Sequence, residues 1–406
     1  MNWLYPLGFF GFGFAEAIFT QWIVFFHNPP SGPVGLGAWT GTVLLVCFLI
    51  QGLLNPVLGY FSDHIRHRWG RRRPLILLCS LPMALCFWAM WQTLNPYLSL
   101  MLICGFGFFF VCVVQPHITL LPGITHHEKQ RVNYSLAGGV FSLLASALGL
   151  VGGAWILKIG SFELLGMLGA AGIVLTLFIP MLFIRENPVN DPPASRSIRD
   201  FLQENKSVLS NTAFFWYLRG NAFLIGVIMS LVITLPYLCT QVLHQERSFV
   251  SVLNGFVLLG AVIGGILIQS KSSSMVVLKL LKYSAMVNGC LLLFMAVLSF
   301  FVTLPLALWL GFMVSMGVLV IFSVISPQLI ISEMTTADRK NREGTFFGLN
   351  GMVINFANAL GSQLSAFILS LSILGSASVL IVMLLCSLLL CLAVWSLKKT
   401  EAQVTF

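Results

Sequence analysis

NPVLGYFSDHIRHRWGRRRP, residues 55–74, lies at the junction of two apolar runs, near 38–61 and 74–92. Its first half still has the composition of a helix, with Gly59 small enough to admit a close neighbour and Asp63 closing the apolar face. Its second half holds Arg66, Arg68, Arg71, Arg72 and Arg73. A strongly basic loop between two runs of about 20 apolar residues is how two membrane helices meet on the cytoplasmic side.

The rest of the chain repeats this pattern. Of 406 residues 58% are hydrophobic and 9% charged, against ~25% charged in soluble domains. At about 20 apolar residues per span, that is enough for about twelve helices. A soluble enzyme and a disordered chain are excluded. So is a β-barrel, whose strands alternate apolar and polar residues. Spans are expected near 5–27, 38–61, 74–92, 97–121, 133–157, 163–184, 212–242, 250–270, 275–297, 303–332, 344–370 and 373–397. The first lacks a preceding basic region and is expected to be a span, not a cleaved leader.

The formal net charge of +9 invites a nucleic-acid partner, but its distribution argues against one. Every second loop is basic, and 19 of the 22 Lys and Arg fall in those loops, at the 185–211 stretch or near the C-terminus. This is the positive-inside pattern, with both termini and the basic loops in the cytoplasm. The nine cysteines all sit in apolar runs without a CxxC pair and are expected as buried small hydrophobes.

Residues 185–211 form the longest polar stretch, with Pro188, Pro192 and Pro193 followed by an amphipathic segment, Ser197 to Lys206. It divides the chain into six-span halves, 1–184 and 212–406. The halves echo each other. Pro116 is followed by Thr125, Glu128, Lys129 and Arg131, and Pro327 by Thr335, Asp338, Arg339 and Arg342. Parallel repeats of six spans produce such an echo. The expected fold is an all-α membrane protein, twelve helices in two pseudo-symmetric bundles of the major facilitator type.

The Asn55-Pro56, Gly59, Asp63, Arg68-Trp69-Gly70-Arg71-Arg72-Arg73-Pro74 pattern resembles the signature between helices 2 and 3 of the glycoside-pentoside-hexuronide:cation symporters, the melibiose-permease-like branch of the major facilitator superfamily. Pro116 to Pro122 through Arg131 is similar to that family's helix 4 and following loop, and Arg342-Glu343-Gly344-Thr345 to its loop before helix 11. The resemblance implies alternating access, with a solute site near mid-bilayer. It also implies a charged cation site, and here the chain departs. The positions of the family's acids are Gln51, Asn55 and Val114, that of its helix 11 lysine is Asn355, and those of its sugar-contacting ring and arginine are Ile118 and Gly139. Sugar and sodium assignments therefore do not carry over.

The polar residues left inside apolar runs are the pathway candidates. Gln51 and Asn55 share one helix face, as do Asn355 and Asn358. Amides both donate and accept, which suits a neutral polar solute or bonding between helices. Gln115 and His117 flank Pro116, with His117 either a solute donor or a core histidine. Glu16, one turn before Thr20, interrupts the first span, and Arg219 lies two turns into the seventh. Charges at that depth face a cavity or a partner, or snorkel to the surface. Gly59, Asp63, Arg68, Arg71, Arg72 and Arg73, with Arg342 and Glu343, are candidates for a cytoplasmic gate.

His126, His127 and Glu128 look like metal ligands, but a solvated loop is the expectation. No nucleotide, zinc-protease or hydrolase motif occurs in a suitable context, so no catalytic residue, metal or cofactor is expected. The function expected is secondary transport or facilitation of a small polar solute, a sugar or related metabolite, without sodium and with protons as the candidate coupling ion. A non-transporting receptor or lipid-handling protein on the same fold is the alternative. Other expected partners are membrane lipids, with the chain a monomer in a prokaryotic inner membrane.

Overall fold

Backbone placed in lipid has to satisfy its own hydrogen bonds, and this chain does so as helix. The computed structural model describes residues 2–29, 36–64, 69–70, 72–124, 128–185, 198–269, 274–338, 343–371 and 374–403, and no strand occurs among them. The first six membrane helices are α1 (Leu7–His27), α2 (Leu36–His64), α3 (Arg73–Ala89), α4 (Pro96–Ile124), α5 and α6. Helix α5 runs from Glu128–Ala147 through a wider π turn, Leu148–Gly152, into Gly153–Ile159. Helix α6 does the same, from Phe162–Ile173 through Val174–Phe178 into Ile179–Phe183. After α7 (Ile198–Leu209) come α8 (Thr212–Tyr237), α9 (Val250–Gln269), α10 (Ser274–Ser299), α11 (Leu306–Asp338), α12 (Glu343–Leu369) and α13 (Ser376–Gln403).

Among the described residues ten helices are long and apolar enough to cross a membrane, and two shorter apolar ones, Trp39–Asn55 and α3, bring the set to twelve. The multi-pass, all-helical fold is as expected. Several helices outrun their apolar stretches. Helix α4 continues to Ile124, α11 to Asp338 and α13 to Gln403. Hydropathy marks where lipid ends, whereas intrahelical bonds continue into the polar residues beyond it, in α4 and α11 even past Pro116, Pro122 and Pro327. Glu128, expected in a loop, instead opens α5; His126 and His127 lie outside the described residues.

Side-chain caps set several turns. Ser161 accepts from the Leu164 N–H at 3.3 Å to start α6, and Asn211 from the Phe214 N–H at 3.2 Å to start α8. The amphipathic segment expected inside 185–211 is α7, which packs on α8 and α12.

By its internal contacts the chain divides into two compact units, 1–194 and 195–406. In the first, α1 packs on α5 and α6, α2 on α4, and α3 on α4 and α6. In the second, α8 packs on α12 and α13, α9 on α11, and α10 on α11 and α13. Adding seven to each label of the first set gives the second, so the repeat seen in sequence is a repeat of pairings.

Between helices in lipid there is little hydrophobic driving force, and close approach through small residues supplies the attraction. At the α9–α11 crossing this is extreme. A Cβ at Gly260 would overlap the Val314 carbonyl, and one at Gly317 the Val257 carbonyl. Only glycine fits there.

Candidate functional site

In the first unit, α1 supplies Glu16. It is exposed between the buried Ala15 and Ala17, and among the described residues no cation or donor reaches its carboxylate. The Thr20 hydroxyl does not reach it, because it donates back to the Glu16 carbonyl at 2.9 Å.

Gln51 behaves differently. It is buried in α2 against α4, its Nε2 3.5 Å from Cys47 Sγ, and a Cβ at Gly107 would lie 3.2 Å from that same Nε2. Its amide therefore lines a helix crossing. Asn55, one turn on, is half-buried. Gln115 is half-buried in α4, while Pro116 and His117 are buried.

The His117 ring is only 1% exposed and sits in an aromatic box. Tyr5 stacks on it with centroids 4.6 Å apart, and Phe9 and Phe12 meet it edge-on at 5.2 and 5.8 Å. The Tyr5 hydroxyl donates to the Ile118 carbonyl at 3.4 Å. Neither ring nitrogen of His117 makes a hydrogen bond of ordinary geometry among the described residues, although the Tyr5 main chain lies alongside.

The gate candidates divide. Gly59 and Asp63 lie in α2 and Glu343 opens α12, but their side chains are outside the described residues, as are Arg68, Arg71 and Arg342 altogether. Arg72 is half-buried beside the start of α3. Arg73 is held by main-chain carbonyls, its Nε donating to that of Met181 at 3.0 Å and its terminal nitrogen to that of Leu182 at 2.6 Å. It closes the last turn of α6 within its own unit. A cation at a helix C-terminus is favourable for the orphan carbonyls and for the helix dipole.

In the second unit, Asn355 turns its Nδ2 back to the Gly351 carbonyl at 3.0 Å, and Asn358, one turn further, is half-buried with no partner among the described residues. Arg219 lies against aromatic rings instead of polar groups.

Sequence reasoning missed a buried polar cluster. Asn221 of α8 donates from Nδ2 to Asn350 Oδ1 of α12 at 2.9 Å, and its own Oδ1 has no partner among the described residues. Nearby on α8, the Tyr217 hydroxyl is 3.5 Å from Ser326 Oγ of α11. The same amide-in-apolar-run signal that singled out Asn355 marks Asn221 and Asn350.

Among the described residues no group of three or more His, Cys, Asp or Glu is placed to hold a metal. Within each unit the polar candidates are mainly amides and hydroxyls, groups that can both donate and accept.

A family model described as MFS/sugar transport protein matches residues 4–397. The chain is 28% identical over 162 residues to an uncharacterized symporter of Synechocystis, a stretch covering 34% of this chain and 29% of that relative. It is 26% identical over 205 residues to the inner membrane symporter YicJ of Escherichia coli, covering 45% and 42% respectively. These matches thus span less than half of either relative. Among solved structures, the nucleoside transporter NupG superposes with a TM-score of 0.70 at 15% identity, covering 98% of this chain and 99% of that one. A structure from work on proton dependent oligopeptide transporters gives 0.72 at 12% identity, covering 98% and 97%. At such identities these two speak to the fold.

Proposed function

The chain belongs to the MFS/sugar transport protein family, and from that premise we propose that it is a secondary transporter moving a small neutral polar solute, a sugar or related metabolite, by alternating access. The observation that carries the choice of solute is the chemistry of the membrane-embedded polar groups. Gln51, Asn55, Asn355 and Asn358 are amides at or next to the positions where the family resemblance implies acids and a lysine. Sodium favours hard oxygen ligands with carboxylates among them. Transport is therefore expected without sodium. Glu16, an exposed carboxylate in α1 with no partner among the described residues, is the candidate proton carrier.

Asn55 in the first unit, and Asn355 and Asn358 in the second, are proposed solute contacts, and Gln51 supports Asn55 from the α2–α4 crossing. Both termini and the basic loops are proposed to face the cytoplasm of a bacterial inner membrane. On a cysteine-free background, an impermeant reagent should label Phe301→Cys in intact cells and leave Ser210→Cys unlabelled; the reverse overturns this orientation.

The test of function starts with a thermal-shift screen of the purified chain against sugars, nucleosides and amino acids, since a ligand that binds the folded state stabilises it. Counterflow of the hit in proteoliposomes then checks transport. Glu16→Gln should keep counterflow and lose pH-driven accumulation. Sodium-stimulated uptake, or full accumulation by Glu16→Gln, overturns the coupling assignment.

A further inference from the structure

Among the described residues Arg219 is a cation without an anion: no carboxylate pairs with it and no carbonyl accepts from it. It lies seven residues into α8, about 10 Å from the helix start at 1.5 Å per residue. Its guanidinium carbon is 5.0 Å from the Trp395 ring centroid, 5.3 Å from Trp216 and 5.8 Å from Phe223. The two indoles meet edge-on at 5.1 Å with planes at 87°, so they form a fixed cradle. Glu401, further along α13, is engaged by Lys282, with Lys279 3.9 Å away.

Aromatic faces attract the guanidinium through its plane but leave the N–H edges free to donate. Those edges form a fork that fits a phosphate or carboxylate. The cradle opens onto an exposed apolar face, with Arg219 and Trp216 half-buried. Leu388, Cys391 and Trp395 are exposed along one apolar stripe of α13, with Trp395 44% exposed. The stripe ends in exposed Lys398 and Lys399. Trp395 lies three residues, about 5 Å along the helix, before Lys398, and Arg219, against its ring, lies at the same level near the basic end of the stripe. An uncompensated charge at that depth in a bilayer is costly, and the anion on hand there is a lipid headgroup.

We propose that Arg219, held by Trp216 and Trp395 and flanked by Lys398 and Lys399, binds the phosphate headgroup of an anionic glycerophospholipid between α8 and α13. The aromatic pair orients the cation, and the two lysines add attraction at the membrane surface.

Native mass spectrometry of the detergent-purified full chain, offered equal phosphatidylglycerol and phosphatidylcholine, tests this. The wild type should retain phosphatidylglycerol by about tenfold over phosphatidylcholine, a margin of one well-made charged contact. Arg219→Gln should bring that preference to within about twofold, and Arg219→Lys, which keeps charge but loses the fork, should fall between. Equal retention of the two lipids by the wild type, or an unchanged preference in Arg219→Gln, overturns the proposal. If Arg219→Gln does not fold, the double variant Lys398→Gln, Lys399→Gln replaces it, and an unchanged preference there overturns the proposal equally. Displacement of the lipid by millimolar inorganic phosphate would assign the site to a free anion and overturn it as a lipid site.

Discussion

Where α2 crosses α4 in the first unit, Gly107 faces the Cys47 side chain; where α9 crosses α11 in the second, Gly317 faces the Val257 backbone and Gly260 the Val314 backbone. The pairing is the same and the distance of approach is not. A side chain can rotate away from an intruding methyl group, whereas a helix carbonyl moves only with its helix. The third and sixth helices of each unit show a parallel contrast. In the first, Arg73 of α3 donates to the terminal carbonyls of α6, while in the second, Lys282 of α10 pairs with Glu401 of α13. Repeated topology therefore leaves the chemistry of each contact free to diverge, and the two units should respond differently to equivalent substitutions.

The largest difference is expected at the glycines. Gly317→Ala should destabilise the protein by about 3 kcal/mol, the upper end of overpacking costs, because backbone must separate. Gly107→Ala should cost about 1 kcal/mol, since the Cys47 and Gln51 side chains can yield. Unfolding in mixed detergent, read by circular dichroism, compares them. Equal costs would show that α9 and α11 have room that their contact geometry does not display.

Next in size are the two clasps. Arg73→Gln removes two charge-assisted bonds to carbonyls and should cost about 2 kcal/mol, little affected by salt. Lys282→Gln removes an ion pair whose side chains are 15% and 22% exposed, and should cost about 1 kcal/mol or less, falling further at high salt. A salt-sensitive Arg73→Gln would reverse the assignment and return Arg73 to the gate.

These contrasts also mark what the sequence could tell. The twelve spans were legible because lipid imposes one rule on every stretch of backbone, and the amphipathic α7 from its alternation of charged and apolar residues. Span ends were less legible, as at Asp338 and Gln403, because helix continues where hydropathy has already fallen. The site was legible by residue type and not by role. Gln51 and Asn358 are both amides in apolar runs, yet one lies against Gly107 and the other has no partner among the described residues. Arg73 was one of five arginines in a loop, and nothing local distinguishes the one that finds carbonyls 108 residues away. Only the facing helix decides such roles.

A third pair of substitutions contrasts packing with bonding. The first unit closes α1 on α4 with aromatic packing around His117, and the second joins α8 to α12 by the Asn221–Asn350 bond. His117→Phe removes two poorly satisfied nitrogens but sets a larger ring against Gly8, so the gain and the crowding should offset to within about 1 kcal/mol of neutral. Asn350→Leu leaves a buried amide unpaired and should cost about 1 kcal/mol, toward the low end for such losses because helices in lipid find alternative partners. If His117→Phe folds well but loses counterflow, the aromatic box is part of the solute path and the two units share solute handling more evenly than their bonding implies.

The smallest effect on stability is expected at Asn358. It is half-buried on the Asn355 face of α12, and no hydrogen bond to protein holds it among the described residues. Removing its amide breaks nothing within the unit, and Asn358→Ala should change stability by less than about 0.5 kcal/mol. If the amide meets solute, however, binding loses one hydrogen bond worth about 0.5–1.5 kcal/mol, and the half-saturation concentration in counterflow should rise by about twofold to twelvefold. Gln51→Ala should show the opposite profile, a stability loss of about 1–2 kcal/mol from the emptied space against Gly107 with a smaller change in half-saturation. The pair thus distinguishes an amide that builds the bundle from one that the bundle presents. A half-saturation unchanged in Asn358→Ala would remove the second unit's best-placed contact and shift solute recognition toward Glu16 and Asn55 in the first.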